Sequence, residues 1–113
     1  MSPNPPYPEF IKALPQADLP MAGVNGYILG APQAQAVFFE IPAGSVVPEH
    51  AHGDQWGVVL AGEMEFTVAG QTRHCQTGDS YFVPAGAMHG AKTLSDCRIL
   101  EVFADADRWK PRA

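Results

Sequence analysis

Eleven prolines and eleven glycines are spread through 113 residues, and they leave little room for anything but short extended segments. Proline lacks an amide donor and breaks helix interiors, while glycine lets the chain turn at little steric cost. Between these breaks lie runs of β-branched and aromatic residues, the pattern of an all-β sandwich or barrel. The expected strands are GYILG (26–30), AQAVFFEIP (34–42), QWGVVLAG (55–62), GEMEFTVAG (62–70), QTRHC (71–75), GDSYFVPAG (78–86), MHGAKTL (88–94) and DCRILEVF (96–103). In GEMEFTVAG, Met64, Phe66 and Val68 alternate with Glu63, Glu65 and Thr67, so one face is apolar. Ala69-Gly70 then supplies the turn of a hairpin over 62–75. Only PEFIKAL (8–14) suits a helical turn or two, which Pro15 ends. About eight short antiparallel strands predict a jelly roll or small barrel.

The first twenty residues hold six prolines and cannot form a central strand. Tyr7, Phe10, Ile11 and Leu14 make this segment too apolar for a free tail. It is expected to be an irregular arm, residues 1–24, lying on a sheet or on a neighbouring subunit. Residues 25–113 then form the barrel of a single domain. A core is within reach, because 46% of the residues are apolar and only 17% charged. The net charge of −5 argues against nucleic acid or an anionic membrane surface as partner. No apolar run is long enough to span a bilayer. MSPNPPYPEF lacks the basic and apolar regions of a secretory signal, so a cytoplasmic location is expected. Cys75 and Cys97 are then reduced core thiols rather than a bridge.

The chemistry concentrates in PEHAHGDQWGVVLAGE, residues 48–63. In an extended strand His50 and His52, two apart, point to one face. If that face is the interior, two imidazoles converge, as a metal site requires. Gly53 permits a bulge or turn that changes the register. Gln55, Gly57 and Val59 then face inward, and Gly57 leaves space above the site. His89 follows Pro84 and Gly86 and opens a later strand, a suitable place for a third imidazole.

These residues resemble the two motifs of the cupin superfamily, in particular small RmlC-like single-domain cupins. The first motif is G-x5-H-x-H-x3–4-E-x6-G. Gly44, His50 and His52 fit its front, and Gln55 and Gly62 its back. The second is G-x5-P-x-G-x2-H-x3-N. Gly78, Pro84, Gly86 and His89 fit it, with Thr93 in place of the asparagine. The resemblance implies a double-stranded β-helix, the jelly-roll cupin barrel, holding one divalent metal ion (Zn, Ni, Fe or Mn). The implied ligands are His50, His52, Gln55 and His89. Gln55 stands where cupins usually place a glutamate and is one residue closer to His52. Asp54 is the rival, because a carboxylate is the better ligand. Three imidazoles and an amide leave the full dipositive charge on the metal, which favours anionic substrates.

The resemblance supports a small metal-dependent enzyme, of lyase or isomerase type, acting on a small anionic or sugar-acid-like substrate. The alternatives are a non-catalytic module that binds a small ligand or metal, and an Fe(II)-dependent dioxygenase. No catalytic acid or base is assigned: Glu40 and Glu101 sit in otherwise apolar strands, and of the two readings, an inward acid–base group or a solvent-facing residue on an edge strand, the second is expected. His74 fits no motif position and belongs to the surface. Met64, Phe66, Phe38 and Phe82 are expected in the core. Trp56 is out of the inward register, and an outward tryptophan on such an apolar strand predicts a homodimer with sheets packed together.

Overall fold

The expected segments all form strands, and the structure adds one more. The protein is described here by a computed structural model covering residues 6–113, so the first five residues of the arm lie outside the described residues. A single helical turn, α1 (Glu9–Lys12), precedes nine strands among the described residues. These are β1 (Asn25–Gly30), β2 (Gln35–Ile41), β3 (Val46–His50), β4 (Gln55–Ala61), β5 (Glu63–Val68), β6 (Gln71–Gln76), β7 (Ser80–Val83), β8 (His89–Thr93) and β9 (Cys97–Phe103). The addition is β3. Pro48 and the polar Glu49-His50 hide its strand character, and it is tolerated because β3 lies at a sheet edge.

Two antiparallel sheets face each other, ordered β1-β2-β9-β4-β7 and β3-β8-β5-β6. The chain crosses from one sheet to the other six times, at β2–β3, β3–β4, β4–β5, β6–β7, β7–β8 and β8–β9, which is the jelly-roll arrangement. Alternation sends Val37, Phe39, Val59, Met64, Phe66, Val83 and Ile99 into the shared core. Cys75 and Cys97 are buried free thiols in that core.

The motif glycines Gly44, Gly62, Gly78 and Gly86 all have left-handed φ. The requirement is strictest at Gly62, where a Cβ would fall on the carbonyl oxygen of Asp96. Thr93, at the motif's last position, is 2% exposed. Its hydroxyl donates to the Pro42 carbonyl at 2.7 Å and accepts from the Ser45 amide at 2.9 Å. It therefore ties down the turn that leads into β3 and His50.

The arm packs on the five-stranded sheet of its own chain. Tyr7 is buried, donates its hydroxyl to the Phe39 carbonyl at 3.0 Å and meets Phe38 edge-on at 5.6 Å. Gln16 bridges to Tyr27 and Ala17 to Pro111, so arm and C-terminal tail run together. Two core expectations need correcting. Phe38 and Phe82 occupy outward positions of their strands: Phe38 lies under the arm, and Phe82 is 58% exposed. Among the described residues no helix is long and apolar enough to cross a membrane.

Candidate metal centre and its cavity

The two strands that approach from the smaller sheet bring the histidines together. His50 ends β3, His89 begins β8, and the two are direct cross-strand partners. His52 lies in the link that crosses to β4. The change of register expected at Gly53 arises from this crossing between sheets. Gly53 itself has no left-handed φ; it is needed because a Cβ would sit 2.7 Å from the Asp105 carboxylate, which accepts the Gly53 amide at 2.8 Å. Gln55, Gly57 and Val59 then face inward, as parity predicts.

Each imidazole is held by a backbone carbonyl. Nδ1 of His50 lies 2.8 Å from the Pro48 oxygen, Nδ1 of His52 2.9 Å from Gly53, and Nδ1 of His89 2.9 Å from Ala87. A carbonyl can only accept, so each Nδ1 carries the proton and each Nε2 offers a lone pair. The rings are 4.3 to 5.2 Å apart between centroids. The ligand atoms of the three lie within 4.8 Å of one another.

Two observations test whether this set suits a cation. Nε2 of His52 is buried without any hydrogen-bond partner, a position that costs free energy unless something accepts its lone pair. Nε2 of His89 faces Oε1 of Gln55 at 3.1 Å. Both are acceptors, and they repel each other unless a positive charge lies between them. Adjacent donors around a metal with bonds of ~2.1 Å are separated by ~3.0–3.4 Å. The donor set therefore fits a divalent metal. The Gln55 amide is oriented by its other end, where Nε2 donates to the Glu101 carboxylate. Asp54, the rival ligand, is turned away: its carboxylate accepts the Ala85 amide at 2.7 Å, bracing the turn before His89.

Glu101 is the residue that the sequence reading placed wrongly. Its strand, β9, lies between β2 and β4 rather than at an edge. Its side chain shares the inward parity of Ile99 and Phe103 and lines a cavity of about 290 Å³. The Glu101 carboxylate accepts hydrogen bonds from Tyr81 and Gln55. Burial raises its pKa above the ordinary carboxylate value, against the opposing effect of those two bonds and of Arg108. The space that Gly57 leaves is filled by the Tyr81 ring. Glu40, in contrast, does point outward, where it accepts from the Tyr27 hydroxyl at 2.7 Å.

Most of the remaining wall is apolar, including Phe39, Met64, Phe66 and Phe103, while Glu49 and Thr93 also line it. The arm adds Met21 and Val24, and the tail adds Arg108 and Trp109. Gln35 anchors that tail, donating to the Trp109 carbonyl at 2.9 Å and accepting its amide at 3.0 Å. The Arg108 guanidinium stacks on the Trp109 ring at 4.1 Å, and its buried Nε has no acceptor. Burial lowers the pKa of both His52 and His89, and the nearby Arg108 charge lowers them further. Both effects favour the neutral imidazole, the form that ligates. His74 lies apart on the exposed face of β6, 3.1 Å from Glu63.

A jelly roll that gathers three imidazoles in its interior has the architecture of a cupin. The cupin-domain family Cupin_2 matches residues 37–103, and the chain belongs to it. An RmlC-like cupin from Shewanella frigidimarina superposes with a TM-score of 0.77 at 27% identity, over 86% of this chain and 88% of that one. KdgF from a Halomonas species superposes with a TM-score of 0.71 at 28% identity, over 87% and 86% of the two chains. The polyketide cyclase RemF from Streptomyces resistomycificus shares the fold, with a TM-score of 0.72 at 21% identity over 91% and 82%. Among curated proteins no sequence matches.

Proposed function

We propose that this chain is a metal-dependent enzyme of lyase or isomerase type, acting on a small anionic substrate with few hydroxyl groups. The observation that carries the reading is the grouping of a neutral four-donor set, a buried carboxyl and an arginine whose buried Nε lacks an acceptor around one largely apolar cavity. His50, His52, His89 and Gln55 would hold the metal, which when bound would polarise a substrate oxygen. With four neutral ligands it would keep its full charge and favour an anionic group.

The chain's own residues divide the remaining work. Arg108 offers charge-assisted hydrogen bonds to a carboxylate or similar anion. The apolar wall excludes water from the bound substrate and strengthens those contacts. Glu101 uses one carboxylate oxygen, Oε2, for both Tyr81 and Gln55. Its Oε1 is the atom that would take or return a proton next to the polarised group. The sugar-acid expectation narrows accordingly. Each substrate hydroxyl buried against this wall without a partner would cost about 1–3 kcal/mol, so a less hydroxylated acid suits it better.

Metal-loaded protein incubated with small carboxylic acids in D2O under nitrogen tests this reading. Deuterium incorporation or turnover is expected, and Glu101→Gln should abolish it while leaving the metal bound. Turnover only in air would point instead to oxygen chemistry. Stoichiometric binding without exchange would point to a binding module.

A further inference from the structure

Backbone carbonyls aim all three imidazoles, but the three carbonyls are not equally secured. Those of Pro48 and Ala87, which hold His50 and His89, lie in strand β3 and in the turn before β8. That turn is closed by the Ala87 amide, which donates to the Pro84 carbonyl at 3.1 Å. The carbonyl that holds His52 belongs to Gly53, in the link between the sheets. Glycine leaves φ and ψ little restricted, so the direction of its carbonyl depends on what grips the residue from outside. The grip comes from the C-terminal tail. One Asp105 carboxylate oxygen, Oδ2, accepts the Gly53 amide at 2.8 Å, and the Ala104 amide donates to the neighbouring Asp54 carbonyl at 2.9 Å. The fit is close: a Cβ at position 53 would lie 2.7 Å from the other oxygen, Oδ1.

We infer that Asp105 is a positioning residue of the metal centre, gripping Gly53 so that the glycine carbonyl keeps the His52 proton on Nδ1. The inference rests on the metal reading of the site given above. A neutral imidazole can carry its proton on either nitrogen, and the hydrogen bond made by one nitrogen decides the state of the other. With Nδ1 protonated, Nε2 of His52 offers a lone pair beside the donor atoms of His50 and His89. With the proton on Nε2 instead, the same atom could not ligate. Asp105 is not one of the grouped donors; it acts on His52 through one glycine. The same short segment also serves the cavity. The Arg108 amide donates to the Asp105 carbonyl at 3.1 Å, and from this turn the Arg108 side chain reaches the cavity wall. The tail therefore joins the proposed anion-binding group to the residue that aims a metal ligand. It lies beyond residues 37–103, the part that matches the cupin-domain family, so the grip belongs to this chain's own tail.

Nitrogen-15 NMR of the imidazoles tests the inference on the metal-free full chain, at about pH 8 where histidine is neutral. His52 is expected in the Nδ1–H form. Asp105→Ala should move it toward a mixture of the two forms. Asp105→Asn, whose amide oxygen can still accept the Gly53 amide, should keep the Nδ1–H form. Titration with Co(II) supplies a second readout. Asp105→Ala should bind the ion about tenfold more weakly, with an altered visible absorption, and Asp105→Asn should stay within about twofold of the unsubstituted chain. A role in folding alone would lower the thermal midpoint of Asp105→Ala while the His52 signals and the Co(II) affinity stay unchanged, and that result would overturn the inference. An unsubstituted chain that takes up no Co(II) would instead remove the metal reading, and the imidazole signals would still decide whether Asp105 holds His52.

Discussion

Tyr81 and Glu101 stand on opposite sides of strand β4 and join by a hydrogen bond over Gly57. The register aligns them, since Gly57 pairs with Tyr81 on β7 and with Glu101 on β9. Only a residue without a side chain lets the phenol reach across. A Cβ at position 57 would fall on the Tyr81 ring and hydroxyl. Gly57→Ala is therefore expected to destabilise the fold by ~1–3 kcal/mol. Thermal unfolding should show it as a lower midpoint. Adding Tyr81→Leu should recover part of the loss, because the two changes share one space.

Glu101 also acts on the metal site through Gln55, whose amide it orients. Glu101→Ala should weaken metal affinity by ~10- to 100-fold, the usual effect of losing a partner that orients a ligand. Glu101→Gln can still accept from the Gln55 amide and should restore most of that affinity without restoring proton transfer. Metal titration by calorimetry separates the two variants. Equal affinity in all three proteins would remove Glu101 from this role.

The pH dependence of the metal-free protein follows from shifts of opposite sign. Burial lowers the pKa of His52 and His89 below the usual 6.5. Below about pH 6.5 the unfolded chain then binds protons that the folded chain refuses. Their contribution is complete above that pH and is lost on acidification. Glu101 works the other way: its raised pKa makes its contribution complete below the usual 4.5 and lost as pH rises through the folded value. Denaturant midpoints between pH 8 and 5 should fall on acidification, more steeply in Glu101→Gln, which lacks the opposing effect. A flat profile in both proteins would contradict these shifts.

Arg108 should matter for ligands and little for the metal. Arg108→Leu keeps much of the stacking volume on Trp109 and removes the charge. It should weaken binding of a small carboxylate by tenfold or more, measured by calorimetry on metal-loaded protein, while metal stoichiometry stays unchanged.

Much of this was legible in the sequence, and the exceptions have physical causes. Fixed spacings marked His50, His52 and His89, and strand parity after the crossing put Gln55 inward. The same parity could have found Glu101, since it shares a face with Ile99 and Phe103 in CRILEVF. What misled was the assumption that its strand lies at an edge, because strand order across a jelly roll is set by long-range pairing. Arg108 and Trp109 gave no local signal. They reach the cavity only because a distant side chain, Gln35, anchors the tail. Phe82 looked like core because aromatic composition does not record which face is covered.

The central claim is that His50, His52, His89 and Gln55 hold a metal. The most direct measurement is metal content by mass spectrometry on protein purified without an affinity metal, for the full chain and for His89→Ala. About one divalent ion per chain is expected in the former, as four donors around one point imply, with loss of most of it in the latter. Negligible metal in the full chain even after incubation with divalent ions, or the same content in His89→Ala, would contradict the claim.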